Sequence, residues 1–311
     1  MQEIKENIPL APLTTFQIGG AAKYFVEART NEDIQEAVEY AQKRDIRFVI
    51  LSGGSNVLIP DEGLNALVIH IVSDAHAFSD NVLHAEAGCN LLELIKEASE
   101  KDLGGWEKLA GIPGSIGGAV RGNAGAFGSE IKDFVTSVQA FNVDTKQSRG
   151  FVQPYMNFAY RDSFFKHHPE WVITSVTLEL QQSPYEKSAA LIAETIAERE
   201  KRHLQNVRAA GSFFMNPVAS AEIVALFERE KNVQSRESRV PAGWLIEKVG
   251  MKGACVGGAC ASEQHPNYLV NVNSATATDV LALAANIKKA VSDAYGIRLQ
   301  EEAALFPSLT E

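Results

Sequence analysis

Seven glycines fall in the eighteen residues from Gly111 to Gly128, GIPGSIGGAVRGNAGAFG, where only Pro113 stiffens the backbone. Glycine loses more conformational freedom on folding than any other residue, so such a run in a folded chain needs a local reason. One reason is an anion site, because successive N–H groups unshielded by side chains can cradle a group such as a pyrophosphate. The alternative is a tight structural crossing in a bent sheet.

A second glycine signal lies upstream. The apolar run Arg47–Leu51 (RFVIL) reads as a strand and leads into Ser52–Asn56, SGGSN. A dinucleotide fingerprint requires a helix to start at its last glycines. Here the continuation VLIPDEGLNALVIHI reads as strand, turn, strand, and no GxxxxGK[ST] loop occurs anywhere. The common nucleotide folds therefore do not fit, although the anion-cradle chemistry does. Read alone, SGGSN is also an ordinary turn.

The chain's 311 residues suit two or three domains, and 45% hydrophobic with 22% charged residues is enough to bury a sizeable core. A net charge of -10 argues against nucleic acid as the main partner. The three cysteines, Cys89, Cys255 and Cys260, lack paired spacing, so they are read as forming no disulfide framework and no zinc site, and no metal is expected. The N-terminus lacks a basic start and apolar core, and no stretch approaches the ~18 apolar residues of a membrane span, so no membrane association and a reducing cytoplasm are expected.

Helical spacing predicts a helix after Thr30 (NEDIQEAVEYAQKR), another at NLLELIKEASEKD, and a long one at YEKSAALIAETIAEREKRH. A further helix, TATDVLALAANIKKAVSDAY, is read with Leu281, Ala284, Ala285 and Ile287 to Lys288 around its inner edge and Gly296 as its stop. FVTSVQAFNVD and VITSVTLEL read as strands, and the alternating IRLQEEAALF as a closing strand.

Seven motifs in order then resemble the UDP-N-acetylenolpyruvoylglucosamine reductases (UDP-N-acetylmuramate dehydrogenases), flavoenzymes of peptidoglycan precursor synthesis. They are LTTFQIGG (13–20), ILSGGSNVLIPDEG (50–63), LAGIPGSIGGAVRGNAGAFG (109–128), YRDSFFK (160–166), GSFFMNP (211–217), PAGWLIEKVGMKG (241–253) and LQEE (299–302). The resemblance spans nearly the whole chain. It implies an α+β fold, with a two-lobed FAD-binding domain of the PCMH/VAO-like type followed by a smaller α+β substrate-binding domain. Lobes at 1–72 and 73–205, a substrate domain at 206–298 and a returning strand at 299–311 are expected.

The resemblance further implies a non-covalent FAD held by Gly53, Gly54, Ser55, Asn56, Pro113, Gly114, Ser115, Gly117, Gly118 and Asn123, with NADPH as co-substrate. The resemblance implies that NADPH and substrate take turns in one pocket, which accounts for the absence of a dinucleotide fingerprint for NADPH. The implied reaction turns an enolpyruvyl ether of a sugar nucleotide into a lactyl ether. Hydride added to the terminal vinyl carbon pushes charge into the carboxylate, so a cation, a hydrogen-bond donor and a proton source are needed. The matching residues are Arg161 as cation, Ser212 as proton donor and Glu302 as assisting acid, with Glu301 as the rival acid. Substrate contacts fall on Tyr160, Asn216, Lys248 and Asn267, although Lys248 reads equally well as a solvated helix lysine.

The chain departs from the family pattern at Met215, at Arg208 and Ala209, and at Gln300. The resemblance implies a lysine where Met215 stands, Arg208 is expected to supply that positive charge instead, and Arg121 has no assignment. The short segment between Arg161 and Ser212 matches the compact form of the family, without an extra tyrosine-bearing loop. A monomer is expected. The competing readings are an alcohol or sugar oxidase on the same FAD-binding fold, and a binding module that has lost its chemistry.

Overall fold

The computed structural model describes residues 3–202 and 207–306, which divide into two compact units. The first comprises residues 1–8, 22–54 and 64–201; the second comprises 9–21, 55–63 and 202–311. Two short segments from the first fifth of the chain thus belong to the second unit.

The first unit contains two larger sheets and two two-stranded ones, Gly125–Ala126 with Ser129–Glu130 and Leu103–Gly104 with Gln181–Gln182. In the four-stranded sheet the order is Lys5–Pro9, Ala21–Ala28, Leu64–Ile71, Phe48–Leu51. Ala21–Ala28 and Phe48–Leu51 both run parallel to Leu64–Ile71, and helix α1 (Asn31–Lys43) makes the crossover. A parallel strand is covered on both faces, which is why LNALVIHI is apolar almost throughout rather than alternating. Thr30 and Asp33 form the capping box that starts α1, and Ile34, Ala37, Val38 and Ala41 are buried as the spacing predicts.

The second sheet of this unit is antiparallel, in the order Ser148–Val152, Val135–Asn142, Trp171–Glu179, Val82–Glu86, His76–Ser79. Helix α2 (Leu91–Glu100) starts where the Asn90 side chain accepts from the Leu92 and Glu93 N–H groups. The glycine-rich stretch is not all loop. Ser115 caps a six-residue helix, α3 (Ile116–Arg121), whose Ile116, Ala119 and Val120 are buried. Short helix α4 (Phe164–His167) and the long helix α5 (Tyr185–Lys201) complete the unit. Its core includes Leu67, Ile69, Ile95, Trp106, Val138 and Phe141. Burial of each such side chain contributes roughly 1.5–3 kcal/mol.

The second unit is built on a four-stranded antiparallel sheet ordered Ala209–Ser212, Tyr268–Asn271, Ala259–Ala261, Cys255–Val256. Helices α6 (Ala221–Lys231), α7 (Ala242–Lys248) and α8 (Ala277–Tyr295) accompany it, and its core gathers Phe213, Phe214, Trp244, Leu245, Leu269, Leu283 and Ile287. Asp61 accepts from the Ala277 and Thr278 N–H groups at 2.7 and 3.1 Å, so a carboxylate satisfies the positive end of α8. Gly296 ends that helix in the left-handed region, at φ 67°.

Three sequence expectations need correction here. The buried face of α8 is Val280, Leu283, Ala284, Ile287 and Val291; Leu281 is 44% exposed and Ala285 is also outside. The apolar stripe starts at Ala277 and passes through Val280, one residue before Leu281, and alanine-rich sequence hides that register. The closing strand shrinks to Ala304–Leu305, which pairs parallel with Val57–Leu58. Cys255 and Cys260 are joined by a disulfide, because the four residues between them fold into a hairpin that sets the two directly opposite. Among the described residues, no helix is long and apolar enough to cross a membrane.

Candidate active site

In the first unit the two glycine loops touch. A Cβ built on Gly53 would lie 2.5 Å from Gly114 Cα and 2.7 Å from Ser115 N, so only glycine allows this approach. Ser52 Oγ donates to Ser115 Oγ at 2.7 Å, and Ser115 Oγ accepts from Gly118 N–H at 3.2 Å. The Ser115 hydroxyl therefore ties the two loops together and caps α3. Gly117 is packed against Ala87, where a Cβ would lie 2.7 Å from the alanine Cβ. Gly118 is exposed, and a Cβ there would meet only Ser115 Oγ, at 3.4 Å.

Among the described residues, the backbone N–H groups of Gly53, Gly54, Gly114 and Ser115 meet no protein acceptor. Unsatisfied backbone donors are uncommon in folded chains. Four on two loops in contact are the kind of donor set that an anionic pyrophosphate takes, so these residues fit the diphosphate of a dinucleotide. Pro113 is exposed beside them.

The turn carrying Arg161 is fastened to the second glycine loop. The Asn123 side chain is fully buried; its amide donates to Ala159 O at 2.8 Å and its oxygen accepts from Lys132 N–H at 3.3 Å. Ser163 Oγ donates to Arg121 O at 2.7 Å. Arg161 donates to Gly125 O at 2.7 Å and to Asn123 O at 3.4 Å, and its guanidinium lies 5.4 Å from the Tyr160 ring centroid. Asn123, Phe127, Asn157 and Arg161 all have positive φ, between 42° and 55°. Non-glycine residues in that region are uncommon, and clusters of them mark segments over-determined by their surroundings.

Sequence reading passed over one residue near these loops, His70, and left another, Arg121, unassigned. Burial lowers the pKa of His70, opposed by the charge of Glu27 and by a hydrogen bond to the Ser52 backbone. His70 Nδ1 is buried without a partner. A lone strand histidine carries no spacing signal, so only the fold reveals it as a support of the first loop. Arg121 has an exposed side chain, but enough protein surrounds it for desolvation to lower its pKa.

In the second unit Ser212 ends the strand Ala209–Ser212, after Gly211 at φ 75°. Thr15 Oγ1 donates to Ala209 O at 2.7 Å. The next residues are clamped by Asn267, which is 2% exposed. Its side-chain oxygen accepts from Phe214 N–H at 3.0 Å, its amide donates to Phe214 O at 2.8 Å, and its backbone O accepts from Phe213 N–H at 2.7 Å.

The C-terminal segment runs beside this clamp. Glu302 N–H donates to Phe213 O at 2.8 Å, and Met215 N–H donates to Gln300 O at 2.9 Å. The carboxylate of Glu301 is held by Lys288 of α8 at 2.8 Å. Asn56 Nδ2 donates to Glu302 O at 3.1 Å, and Asn56 O accepts from Ala304 N–H at 2.9 Å. Ser55 O accepts from Thr15 Oγ1 at 3.3 Å.

The remaining substrate candidates are placed as follows. The Asn216 side-chain oxygen accepts from Ala242 N–H at 3.0 Å, and its backbone O accepts from Arg239 at 2.9 Å. Lys248 pairs with Glu230 at 2.8 Å, and Trp244 Nε1 donates to the same carboxylate at 3.0 Å. The hydrogen bond between them raises the pKa of Lys248 and lowers that of Glu230.

Comparison with known proteins follows this geometry. Residues 22–149 match the family model described as "FAD binding domain", and residues 202–306 match that described as "UDP-N-acetylenolpyruvoylglucosamine reductase, C-terminal domain". The chain is 34% identical over 305 residues to the UDP-N-acetylenolpyruvoylglucosamine reductase of Solibacter usitatus (strain Ellin6076), covering 96% of this chain and 95% of that protein. It is 33% identical to the protein of the same name from Synechococcus sp. (strain JA-3-3Ab), covering 99% and 93%. The crystal structure of UDP-N-acetylenolpyruvylglucosamine reductase from Thermus caldophilus superposes with a TM-score of 0.78 at 29% identity, covering 99% of this chain and all of that one.

Proposed function

The chain belongs to the UDP-N-acetylenolpyruvoylglucosamine reductase family, and on that premise we propose how its residues divide the reduction of UDP-N-acetylglucosamine enolpyruvate to UDP-N-acetylmuramate. The protein is an FAD-containing oxidoreductase of peptidoglycan precursor synthesis, with an α+β fold in which a two-lobed FAD-binding domain precedes a smaller substrate-binding domain. FAD, when bound, supplies the hydride that the vinyl carbon receives, and NADPH is taken as the reductant that restores it.

The unshared N–H groups of Gly53, Gly54, Gly114 and Ser115 hold the FAD diphosphate. Ser55, Asn56, Pro113, Gly117, Gly118 and Asn123 shape the same two loops. Arg161 is the cation for the substrate carboxylate, since its planar fork matches two carboxylate oxygens. Ser212 Oγ gives its proton to the carbon next to that carboxylate, and Glu302, acting in its protonated or hydrogen-bonded form, stabilises the negative charge that builds in the carboxylate. A serine hydroxyl is a weak acid, so it transfers a proton only with such help. Tyr160, Asn216, Lys248 and Asn267 are assigned to the substrate side, Asn267 through the Phe214 backbone it fixes. The working form is taken to be a monomer in the cytoplasm.

The observation that carries this reading is the pairing of residues 213–215 with 300–302. It sets Glu302 beside the residue that follows Ser212, while Lys288 occupies the rival Glu301. The test separates two half-reactions on purified yellow protein. NADPH is expected to bleach the flavin anaerobically, and the enolpyruvyl sugar nucleotide to restore its colour. Restoration by oxygen alone, with no response to the sugar nucleotide, fits the oxidase reading and overturns this one. Protein that takes up no FAD overturns both.

A further inference from the structure

We propose that Cys255 and Cys260 form a reversible thiol–disulfide site at the free edge of the sheet that carries Ser212. The two residues are a directly opposed antiparallel pair, with Cα atoms 4.1 Å apart and a bond between their sulfurs. Strand Cys255–Val256 is the outermost of its sheet, and Cys255 is exposed there. A disulfide at an exposed edge is open to attack by a small thiol.

The bond is a weak staple. Its sequence separation is 5, and stabilisation by loop closure grows with loop length, so the fold gains little from closing so small a ring. Other contacts, which do not involve the sulfurs, hold the hairpin's base and its turn. Gly253 N–H donates to Ala261 O at 3.0 Å and Val272 N–H to Gly258 O at 3.0 Å, while Gly258 N–H donates to Asp279 at 3.3 Å. The two thiols therefore stay in register after reduction and close again without rearrangement of the strands. What the bond adds is a lock on the two-residue edge strand.

That edge is connected to the candidate chemistry through one sheet. Cys260 is paired with Val270, and Tyr268 of the same strand is paired with Ser212. The third cysteine differs in kind. Cys89 is buried, and burial pushes its thiol pKa up to about 11, which leaves it protonated and unreactive.

The chemistry is a two-electron exchange. A dithiol attacks one sulfur through its thiolate and the S–S bond breaks. The dithiol closes to its own disulfide, and its two electrons and two protons remain on Cys255 and Cys260 as thiols. A small disulfide reverses the step.

The test uses the whole protein with dithiothreitol, its oxidised form, and iodoacetamide as thiol label. Oxidised native protein is expected to take no label, and oxidised denatured protein one, at Cys89. After dithiothreitol, the native protein is expected to take two, at Cys255 and Cys260. Amide exchange over residues 254–261 should quicken on the order of tenfold on reduction, as a local edge opening gives. Cys255→Ser is expected to exchange at the reduced rate in both buffers. Three labels on denatured protein after oxidant treatment would overturn the pair. So would a native bond that excess dithiothreitol leaves intact, or exchange that is the same in both states.

Discussion

The side-chain amide of Asn56 donates to the backbone carbonyl of Glu302 at 3.1 Å, across 246 residues of sequence. Asn56 O also accepts from Ala304 N–H. One residue of the SGGSN loop thus bonds both to the carbonyl of Glu302, the acid proposed to assist, and to the N–H two residues further on. Asn56→Ala removes this exposed hydrogen bond, a loss of about 0.5–1.5 kcal/mol. The expected outcome is flavin reoxidation by substrate slowed about 2–10-fold, with bleaching by NADPH slowed far less. Stopped-flow measurement of both half-reactions checks it. If Asn56 serves only the cofactor, FAD affinity falls instead and both rates drop together.

Ser212→Ala removes one hydroxyl at the end of a sheet strand and no hydrogen bond of the Asn267 clamp. The fold should survive, with an unchanged flavin spectrum. General-acid groups typically contribute about 10²–10⁴-fold, so turnover of the enolpyruvyl substrate should fall by that factor while NADPH still bleaches the flavin at its normal rate. Equal loss in both half-reactions would contradict the proton-donor role.

The two glycine loops offer a matched pair of substitutions. In Gly53→Ala the new methyl meets Gly114 Cα at 2.5 Å, so the loops must part. Overpacking of this kind costs about 1–3 kcal/mol, and both the melting temperature of the apoprotein and its affinity for FAD should fall. In Gly118→Ala the methyl meets only a hydroxyl oxygen at 3.4 Å, inside a helix that alanine favours. Its apoprotein should melt no lower than wild type, yet bind FAD more weakly if Gly118 faces the cofactor. Calorimetry on apoprotein and a fluorescence titration with FAD separate the two effects.

What was legible in the sequence was local. Thr30, Asn90 and Thr276 announce their helices because a cap and its N–H partners lie within three residues. The glycine loops were legible for a similar reason, since unshielded backbone is written in the residue types themselves. Contacts between distant residues were not. Nothing near Glu302 names Asn56 or Phe213 as neighbours, and Lys288 occupies Glu301 only because α8 passes alongside. The Cys255–Cys260 pair failed for the opposite reason. It is local, but it needs a hairpin whose Gly257 takes φ 53°, and counting cysteines ignores turns.

His70 gives a pH dependence with a definite sign. Burial lowers its folded pKa below the ordinary 6.5, against the opposing influence of Glu27 and the Ser52 backbone. Between those two values the unfolded chain binds more protons than the folded one, so stability rises with pH there. His70's contribution is complete above 6.5 and is lost as pH falls from 6.5 toward the folded pKa. His76 acts in the reverse sense, because hydrogen bonds to Asp74 and Glu97 raise its pKa; it stabilises below 6.5 and loses that contribution as pH rises through its folded value. The two overlap in wild-type protein, so the difference between wild type and His70→Asn isolates the buried histidine. Urea unfolding below pH 6.5 should show wild type losing stability relative to the variant as pH drops, with the gap constant above 6.5. A gap that stays constant at every pH would mean that His70 is charged in the folded state to the same extent as in the unfolded chain.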